Sequence, residues 1–296
     1  MRPRSWLALL VMASAAHAGA GEARRWEATR AGLTFELTSD DLRAWRAGQQ
    51  GAPVFSVRQL LAADEARFRA DAEERAREAA TAAFSYPEPI ASAFSAYAPL
   101  SAVGSLVSLL ETSEGYSPGA AHPWASRAIV ARDAARGGEP ASLLDLYSER
   151  QIVEALAADP WILGFEPAPA AGPRPASLQQ LVDVLNAAAW DAARAAESCD
   201  RDAHFGVELV HGFAFHHLDG DRVAIRIGIP HASEVCRGTL HQVGLLLPVP
   251  EGLREELEAA RRSTAGFLMA DRERLGAPEI SGHWEVDLRR PGGVPP

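Results

Sequence analysis

Apolar residues alternate with polar ones near the start of the chain and again over its C-terminal third. Residues 33–37 read Leu-Thr-Phe-Glu-Leu, which predicts a strand, and Ser39 follows as the expected cap of a short helix. In residues 223–229 four apolar side chains occupy every second position, which predicts one strand of a hairpin with residues 207–217. Residues 241–247 predict a further strand.

Other segments carry apolar residues every three or four positions, as one face of a helix does. The predicted helices cover residues 60–83, a segment capped by Ser142, a segment capped by Ser177 with Gln180, and residues 250–262. After the first helix the helical period disappears, and three strands are predicted over residues 90–97, 105–111 and 125–133, with a turn at 99–104. The mixture predicts an α+β fold, an antiparallel sheet packed with segregated helices.

The first 18 residues differ in composition from the rest. Two arginines precede an apolar run that ends in Ala16-His17-Ala18, which is the pattern of a secretory signal peptide cleaved after Ala18. The run is too short to cross ~30 Å of hydrocarbon, although a retained N-terminal anchor is the alternative. We therefore expect a periplasmic or secreted protein without a membrane span after cleavage. The expected parts are a signal peptide over 1–18, an accessory segment over 19–83, the main domain over 84–270, and a loose C-terminal tail over 271–296.

The chain contains only two cysteines, Cys199 and Cys236. An even cysteine count in an exported protein predicts a disulfide, and two free buried thiols are the alternative. The composition, with 47% hydrophobic and 23% charged residues, is that of a globular protein. Its formal net charge of −10 becomes −12 when the two arginines of the signal peptide are removed. This charge disfavours nucleic acid as a partner and favours a cationic one.

Two patterns suggest catalysis but lack its requirements. Gly115-Tyr-Ser-Pro-Gly119 matches the G-x-S-x-G motif of esterases, yet Pro118 has no backbone N–H for an oxyanion hole, so a turn is predicted instead. Several histidines and aspartates fall in the predicted C-terminal sheet: His204, His211, His216, His217, His231 and His241 beside Asp202, Asp219 and Asp221. Strand alternation would separate His216 from His211 and His217, and no H-E-x-x-H or C-x-x-C spacing occurs. We predict no metal and no cofactor; a metal-dependent envelope hydrolase using these residues is the alternative.

The loop from Gly115 to Trp124 holds Tyr116, His122 and Trp124 among small residues and prolines. Such aromatic residues are good interface anchors, and loops on a strand framework often carry binding residues. Packing of Tyr116 and Trp124 into the core is the alternative.

The order of several motifs resembles the RsiV-like extracytoplasmic domain over about residues 84–262. The similarity rests on the tyrosine-turn-Gly119-Ala-Ala-His122-Pro123 segment before a strand, the Gly137-Gly138 turn before Ala141-Ser-Leu-Leu-Asp-Leu-Tyr147, and Ile229-Pro230-His231. The chain departs from the pattern by an extra residue between Tyr116 and Gly119 and by Ala120 in place of a glycine.

This resemblance implies a noncatalytic binding domain outside the membrane, with lysozyme-like proteins or peptidoglycan as its ligands. It does not carry over an anti-sigma function, which requires a membrane span and a cytoplasmic segment. We therefore expect an exported cell-envelope binding protein with Tyr116, His122, Trp124 and His231 as its binding residues. No catalytic residue is predicted.

Overall fold

The computed structural model describes residues 23–81, 89–164, 175–195, 199, 202–231, 236 and 238–289. The predicted signal peptide and most of the proline-rich connector after residue 164 lie outside the described residues. None of the helices in the described part combines the length and the apolar character that a membrane crossing requires.

The N-terminal segment forms a four-stranded antiparallel sheet in the order β1-β2-β3-β4. Its strands are β1 (Arg24–Ala28), β2 (Leu33–Leu37), β3 (Leu42–Arg46) and β4 (Phe55–Ser56). The helix predicted after Ser39 is wrong, because this segment is β3. Leu42 and Ala44 are buried with Arg43 between them, so the burial has the period of a strand, and β3 pairs along all of β2.

The long predicted helix is confirmed as α1 (Val57–Thr81). Leu61, Ala72 and Ala76 are buried on its inner face. On the outer face, Arg69 donates to Glu65 Oε1 at 2.7 and 2.9 Å, the contact expected for opposite charges four residues apart.

A five-stranded antiparallel sheet forms the centre of the molecule, in the order β12-β5-β6-β7-β8. Its strands are β5 (Ile90–Val103), β6 (Leu106–Tyr116), β7 (Trp124–Asp133), β8 (Glu139–Pro140) and β12 (Ile280–Asp287). The turn predicted over 99–104 is wrong in extent, since only Gly104 and Ser105 connect β5 to β6. Gly104 has a φ of +58°, which a two-residue hairpin loop requires. Pro99 remains in β5, where the register shifts between Pro99 and Ser101.

The residues predicted as a loose tail contribute β12, so that prediction is wrong for residues 280–287. β12 pairs with β5 from Ile280 opposite Tyr97 to Asp287 opposite Ile90. Ile280 and Trp284 are buried, whereas Ser281 and Glu285 face solvent. The last residues, 290–296, lie outside the described part.

The second sheet has three antiparallel strands in the order β11-β10-β9. They are β9 (Phe213–Asp219), β10 (Arg222–Ile229) and β11 (His241–Pro248). The expected burial of alternate β10 side chains is confirmed, since Val223, Ile225, Ile227 and Ile229 are all fully buried. The strand predicted over 207–217 is shorter, because residues 207–211 form a 3-10 turn between Gly206 and Gly212.

The remaining helices are short except one: α2 (Glu149–Leu156), α3 (Pro160–Leu163), α4 (Leu178–Ala195), α5 (Arg254–Arg261) and α6 (Arg272–Leu275). Ser142 caps only a 3-10 turn, and the capping box of α2 is formed by Ser148 with Gln151. A 3-10 turn over Glu251–Leu253 replaces the start of the helix predicted from residue 250.

The three-stranded sheet lies between the central sheet and the helices α2 and α4. Phe213 and Phe215 pack into the core shared with those helices, while Ala214, between them, packs on Leu100 and Ile129 of the central sheet. The other face of the central sheet packs on α1 and the N-terminal sheet. The fold is α+β with antiparallel sheets, as predicted, and its helices alternate along the chain with the groups of strands.

Candidate functional site

The predicted binding residues Tyr116, His122 and Trp124 lie together at the open end of the β6–β7 hairpin. Tyr116 ends β6 and is half-buried; Trp124 begins β7 opposite Gly115 and is 39% exposed. Because paired residues share a face and neighbours alternate, Tyr116 and Trp124 point to opposite faces of the sheet. His122 is exposed in the connecting turn, with Nδ1 3.2 Å from the carbonyl oxygen of Pro123.

Gly115 explains how Trp124 is held at the surface. A Cβ atom at residue 115 would lie 2.6 Å from the Trp124 indole, closer than such atoms approach, so the indole rests directly on the glycine backbone. A large aromatic side chain is thereby fixed while much of its surface stays open to a partner. Fixed aromatic side chains make good interface anchors because little conformational entropy remains to be lost.

The connecting segment between these strands is a turn. The N–H of Ala120 donates to the carbonyl oxygen of Ser117 at 2.9 Å, and Pro118 is buried beside it. In the G-x-S-x-G motif of esterases the serine turn leads directly into a helix. Here Ser117 is followed by a turn and then by strand β7.

Beyond Trp124, the outer side of β7 pairs with one strand in the described part of the chain. That strand is the short β8, which pairs with Arg132 and Asp133. The N–H of Ala141 donates to the carbonyl oxygen of Ala131, which shows that odd-numbered residues of β7 direct their backbone groups away from β6. The outward backbone groups of Ala125 and Arg127 have no hydrogen-bond partner among the described residues.

A groove of about 410 Å³ lies beside the same strand. One wall is the end of β7, from Ala128 to Arg132, and the other is the 3-10 turn over 207–211 with Gly212. The groove is mainly apolar, and the exposed side chains of His204, Glu208 and His211 also line it. We call Trp124, the outward backbone groups of Ala125 and Arg127, and this groove the β7 surface.

The predicted disulfide is confirmed: Cys199 is bonded to Cys236, with the Cα atoms 5.4 Å apart. Next to it lies His231, the fourth predicted binding residue, whose side chain is only 3% exposed. Its Nδ1 is 3.7 Å from Oδ2 of Asp202, which is 9% exposed. Ligand atoms of Asp202, His231 and Cys236 all lie within 4.8 Å of one another. His231 is therefore not part of an exposed surface, and we call these three residues with Cys199 the disulfide cluster.

Aromatic rings support the disulfide cluster from one side. The His241 ring is 4.6 Å from the His231 ring and 4.7 Å from the Trp161 ring, measured between centroids. His241 Nε2 is 2.9 Å from the carbonyl oxygen of Cys199. Asp159 fixes Trp161: its Oδ1 accepts from the N–H groups of Trp161 and Ile162, and its Oδ2 accepts from the N–H of Gly244 in β11.

The other predicted histidines do not join this cluster. His211 Nδ1 is 2.7 Å from the carbonyl oxygen of Ala141. His216 and His217 contact each other, with their Nδ1 atoms 2.7 Å apart, so the expected separation onto opposite faces is wrong. The register of β9 against β10 shifts at this point, and that bulge places the two neighbours side by side. The pKa of His216 is lowered by burial and by the charge of Arg226.

A second titratable cluster lies between α1 and the central sheet. Tyr97 donates its hydroxyl to Asp64 Oδ2 at 2.8 Å, and Glu111 pairs with Tyr97 across the strands. Burial and the nearby carboxylate of Asp64 raise the pKa of Glu111, while Arg132 opposes the shift. Nothing in the sequence pattern pointed to this cluster, because α1 supplies Asp64 from 47 residues earlier in the chain than Glu111.

No protein-family model, curated protein or solved structure matches this chain. The resemblance to the RsiV-like domain therefore remains a prediction from the motifs, and the geometry of the β7 surface and of the disulfide cluster has to support any functional proposal.

Proposed function

We propose that this chain is an exported, noncatalytic binding protein of the cell envelope whose partner is a basic, lysozyme-like protein. The observation that supports the proposal best is the β7 surface. It combines a fixed, exposed Trp124 with outward backbone groups at Ala125 and Arg127, to which no described residue is hydrogen-bonded, and with an adjoining apolar groove.

Each part of the β7 surface offers a different kind of contact. Unpaired N–H and C=O groups on an edge strand accept an extended segment of another chain by strand addition. The groove can take an apolar side chain from that partner, and the indole supplies a rigid contact area. A surface of this kind suits a protein partner, and peptidoglycan is the other candidate ligand.

The net charge of the chain favours a basic partner. With a formal charge of −12 after signal-peptide removal, the protein attracts a cationic protein over a distance of about a Debye length, ~8 Å at physiological salt. Association should therefore become slower as the salt concentration rises, with a smaller effect on dissociation.

The alternative of a metal-dependent hydrolase receives less support from the disulfide cluster. A catalytic zinc site uses three protein ligands and leaves a position for water. In the cluster Asp202 and His231 are competent ligands, but the sulfur of Cys236 is held in the disulfide. A thiolate, and not a disulfide sulfur, binds metal.

Titration calorimetry of the mature protein with lysozymes of several types, and separately with soluble peptidoglycan fragments, tests the proposal. We expect heat of binding with a lysozyme and loss of that heat at high salt. Binding of peptidoglycan fragments without binding of any lysozyme would show that the ligand is peptidoglycan. An absence of heat with all ligands would refute both.

Variants identify the surface that binds. Arg127→Pro removes the outward N–H of β7 and should weaken binding, whereas Arg127→Ala keeps that N–H and is the matched control; proline is tolerated on the open side of an edge strand. The double variant Tyr116→Ala, His122→Ala should also weaken binding. Tyr116 and Trp124 lie on opposite faces of the sheet. Comparing the loss of affinity in this double variant with that in Trp124→Ala therefore shows which face the partner covers. Circular dichroism confirms that each variant is folded.

A further inference from the structure

The disulfide cluster brings together three types of zinc ligand in a buried position. A carboxylate, an imidazole and a cysteine sulfur lie with their ligand atoms within 4.8 Å of one another, and the Asp202 and His231 side chains are 9% and 3% exposed. Carboxylate, imidazole and cysteine sulfur are the ligand types that zinc binds in proteins.

The distances are close to those of a tetrahedral site. Zinc binds oxygen, nitrogen and sulfur at about 2.0–2.3 Å, so its ligands lie about 3.3–3.8 Å from one another. Asp202 Oδ2 and His231 Nδ1 are 3.7 Å apart, slightly more than the ~3.3–3.5 Å that an oxygen and a nitrogen ligand of one zinc ion would take. Cys236 Sγ needs to move by about 1 Å at most, because no pair of ligand atoms exceeds 4.8 Å.

The disulfide decides whether the site is complete. While Cys236 is bonded to Cys199, its sulfur carries no negative charge, and only Asp202 and His231 can bind a cation. Reduction frees the thiol of Cys236 beside these two side chains. The thiol releases its proton when it binds the metal.

We propose that reduction of the Cys199–Cys236 disulfide converts this cluster into a zinc site formed by Asp202, His231 and Cys236. The reductant is a dithiol. It supplies two electrons and two protons; its own sulfur–sulfur bond forms, the protein's sulfur–sulfur bond breaks, and two cysteine thiols result. Zn²⁺ then replaces the proton of the Cys236 thiol, and the Cys199 thiol keeps its proton. The sulfur, nitrogen and oxygen ligand set favours zinc over calcium or magnesium.

His241 and Trp161 are positioning residues for this site. Their rings pack in a tilted arrangement, Trp161 on His241 and His241 on His231, and His241 contacts the backbone of Cys199 through its Nε2. This inference does not depend on the proposed binding function.

Two single-cysteine variants provide a matched test, since each loses the disulfide. Cys199→Ser keeps the thiol of Cys236 beside His231 and Asp202, whereas Cys236→Ser removes it. Zinc affinity is measured by competition with a chromophoric chelator, and cobalt absorption reports a thiolate ligand, which exposed histidines cannot imitate. We expect one equivalent of zinc in Cys199→Ser without reductant, and at least a tenfold weaker affinity, with no thiolate absorption, in Cys236→Ser.

The wild type and a third variant keep the test independent of how well the single-cysteine proteins fold. Wild-type protein reduced with a phosphine should bind one equivalent of zinc with thiolate absorption of cobalt, and the oxidised protein should show no such absorption. We expect His231→Gln to form the disulfide and fold, and after reduction to bind zinc at least tenfold more weakly than wild type. His204→Gln, at an exposed position, should match wild type. The proposal would be overturned if reduced wild type does not bind one equivalent of zinc, or if the two single-cysteine variants bind zinc with equal affinity.

Discussion

Asp159 connects α3 to the edge of the three-stranded sheet, and its replacement should measure how much that connection contributes to stability. The side chain is buried and accepts three backbone hydrogen bonds. Oδ1 accepts from Trp161 and Ile162 N–H at 2.9 and 3.2 Å, and Oδ2 accepts from Gly244 N–H at 3.0 Å. Both the start of a helix and the outer side of β11 therefore depend on one carboxylate.

The expected cost of Asp159→Ala follows from these bonds. Loss of a helix N-cap costs about 1 kcal/mol, and a partly buried N–H left without a partner at Gly244 adds about 1–2 kcal/mol. We expect the free energy of unfolding to fall by about 2–3 kcal/mol. Asp159→Asn should cost less, since its amide oxygen can keep the cap while only the bond to Gly244 is lost.

Urea unfolding followed by circular dichroism measures both variants, with an unchanged m-value as the sign that only stability has changed. A loss below about 0.5 kcal/mol in Asp159→Ala would show that the three bonds do not stabilise the fold in solution. An equal cost for both variants would show that the cap contributes nothing.

Three further changes test other parts of the structure. The double variant Cys199→Ser, Cys236→Ser should lose about 4 kcal/mol of unfolding free energy in the chain-entropy description, because the cysteines lie 37 residues apart. Metal-free wild type under reductant should unfold at the same urea concentration as this double variant. Trp284→Ala should cost about 3–5 kcal/mol, since Trp284 is 9% exposed in β12, whereas Trp124→Ala, at an exposed site, should cost far less by the same assay. Glu111→Gln should stabilise the protein at pH 7. Because the pKa of Glu111 is raised in the folded state, the folded state binds a proton more tightly than the unfolded state. The stability of the wild type therefore falls as the pH rises above the ordinary carboxyl pKa. That gain should disappear in acid, where Glu111 is protonated in both states, and a gain that persists there would contradict the assignment.

Local patterns predicted those elements whose burial follows from their own sequence. The four alternating apolar residues of β10 and the apolar stripe of α1 are examples, and both are found where expected. β3 and β12 were missed because their conformation depends on pairing with other strands. β12 joins β5, about 190 residues earlier in the chain, and no local signal reports such a contact.

In the candidate sites, too, local sequence predicted some features, whereas others depend on contacts between distant residues. The cysteine count predicted the disulfide, and the hairpin loop predicted where Tyr116, His122 and Trp124 gather. The opposite orientation of Tyr116 and Trp124 required the register of β6 against β7. The approach of His231 to Asp202 required the packing around the disulfide, and the contact between His216 and His217 required a bulge that strand alternation does not foresee.

Titration calorimetry of mature, disulfide-bonded protein with a panel of lysozymes at low and high salt tests most directly whether the β7 surface binds a basic protein partner. We expect saturable one-to-one binding with at least one lysozyme, weakened by salt and reduced more by Arg127→Pro than by Arg127→Ala. No heat of binding with any lysozyme, or binding that both Arg127 variants leave unchanged, would contradict it.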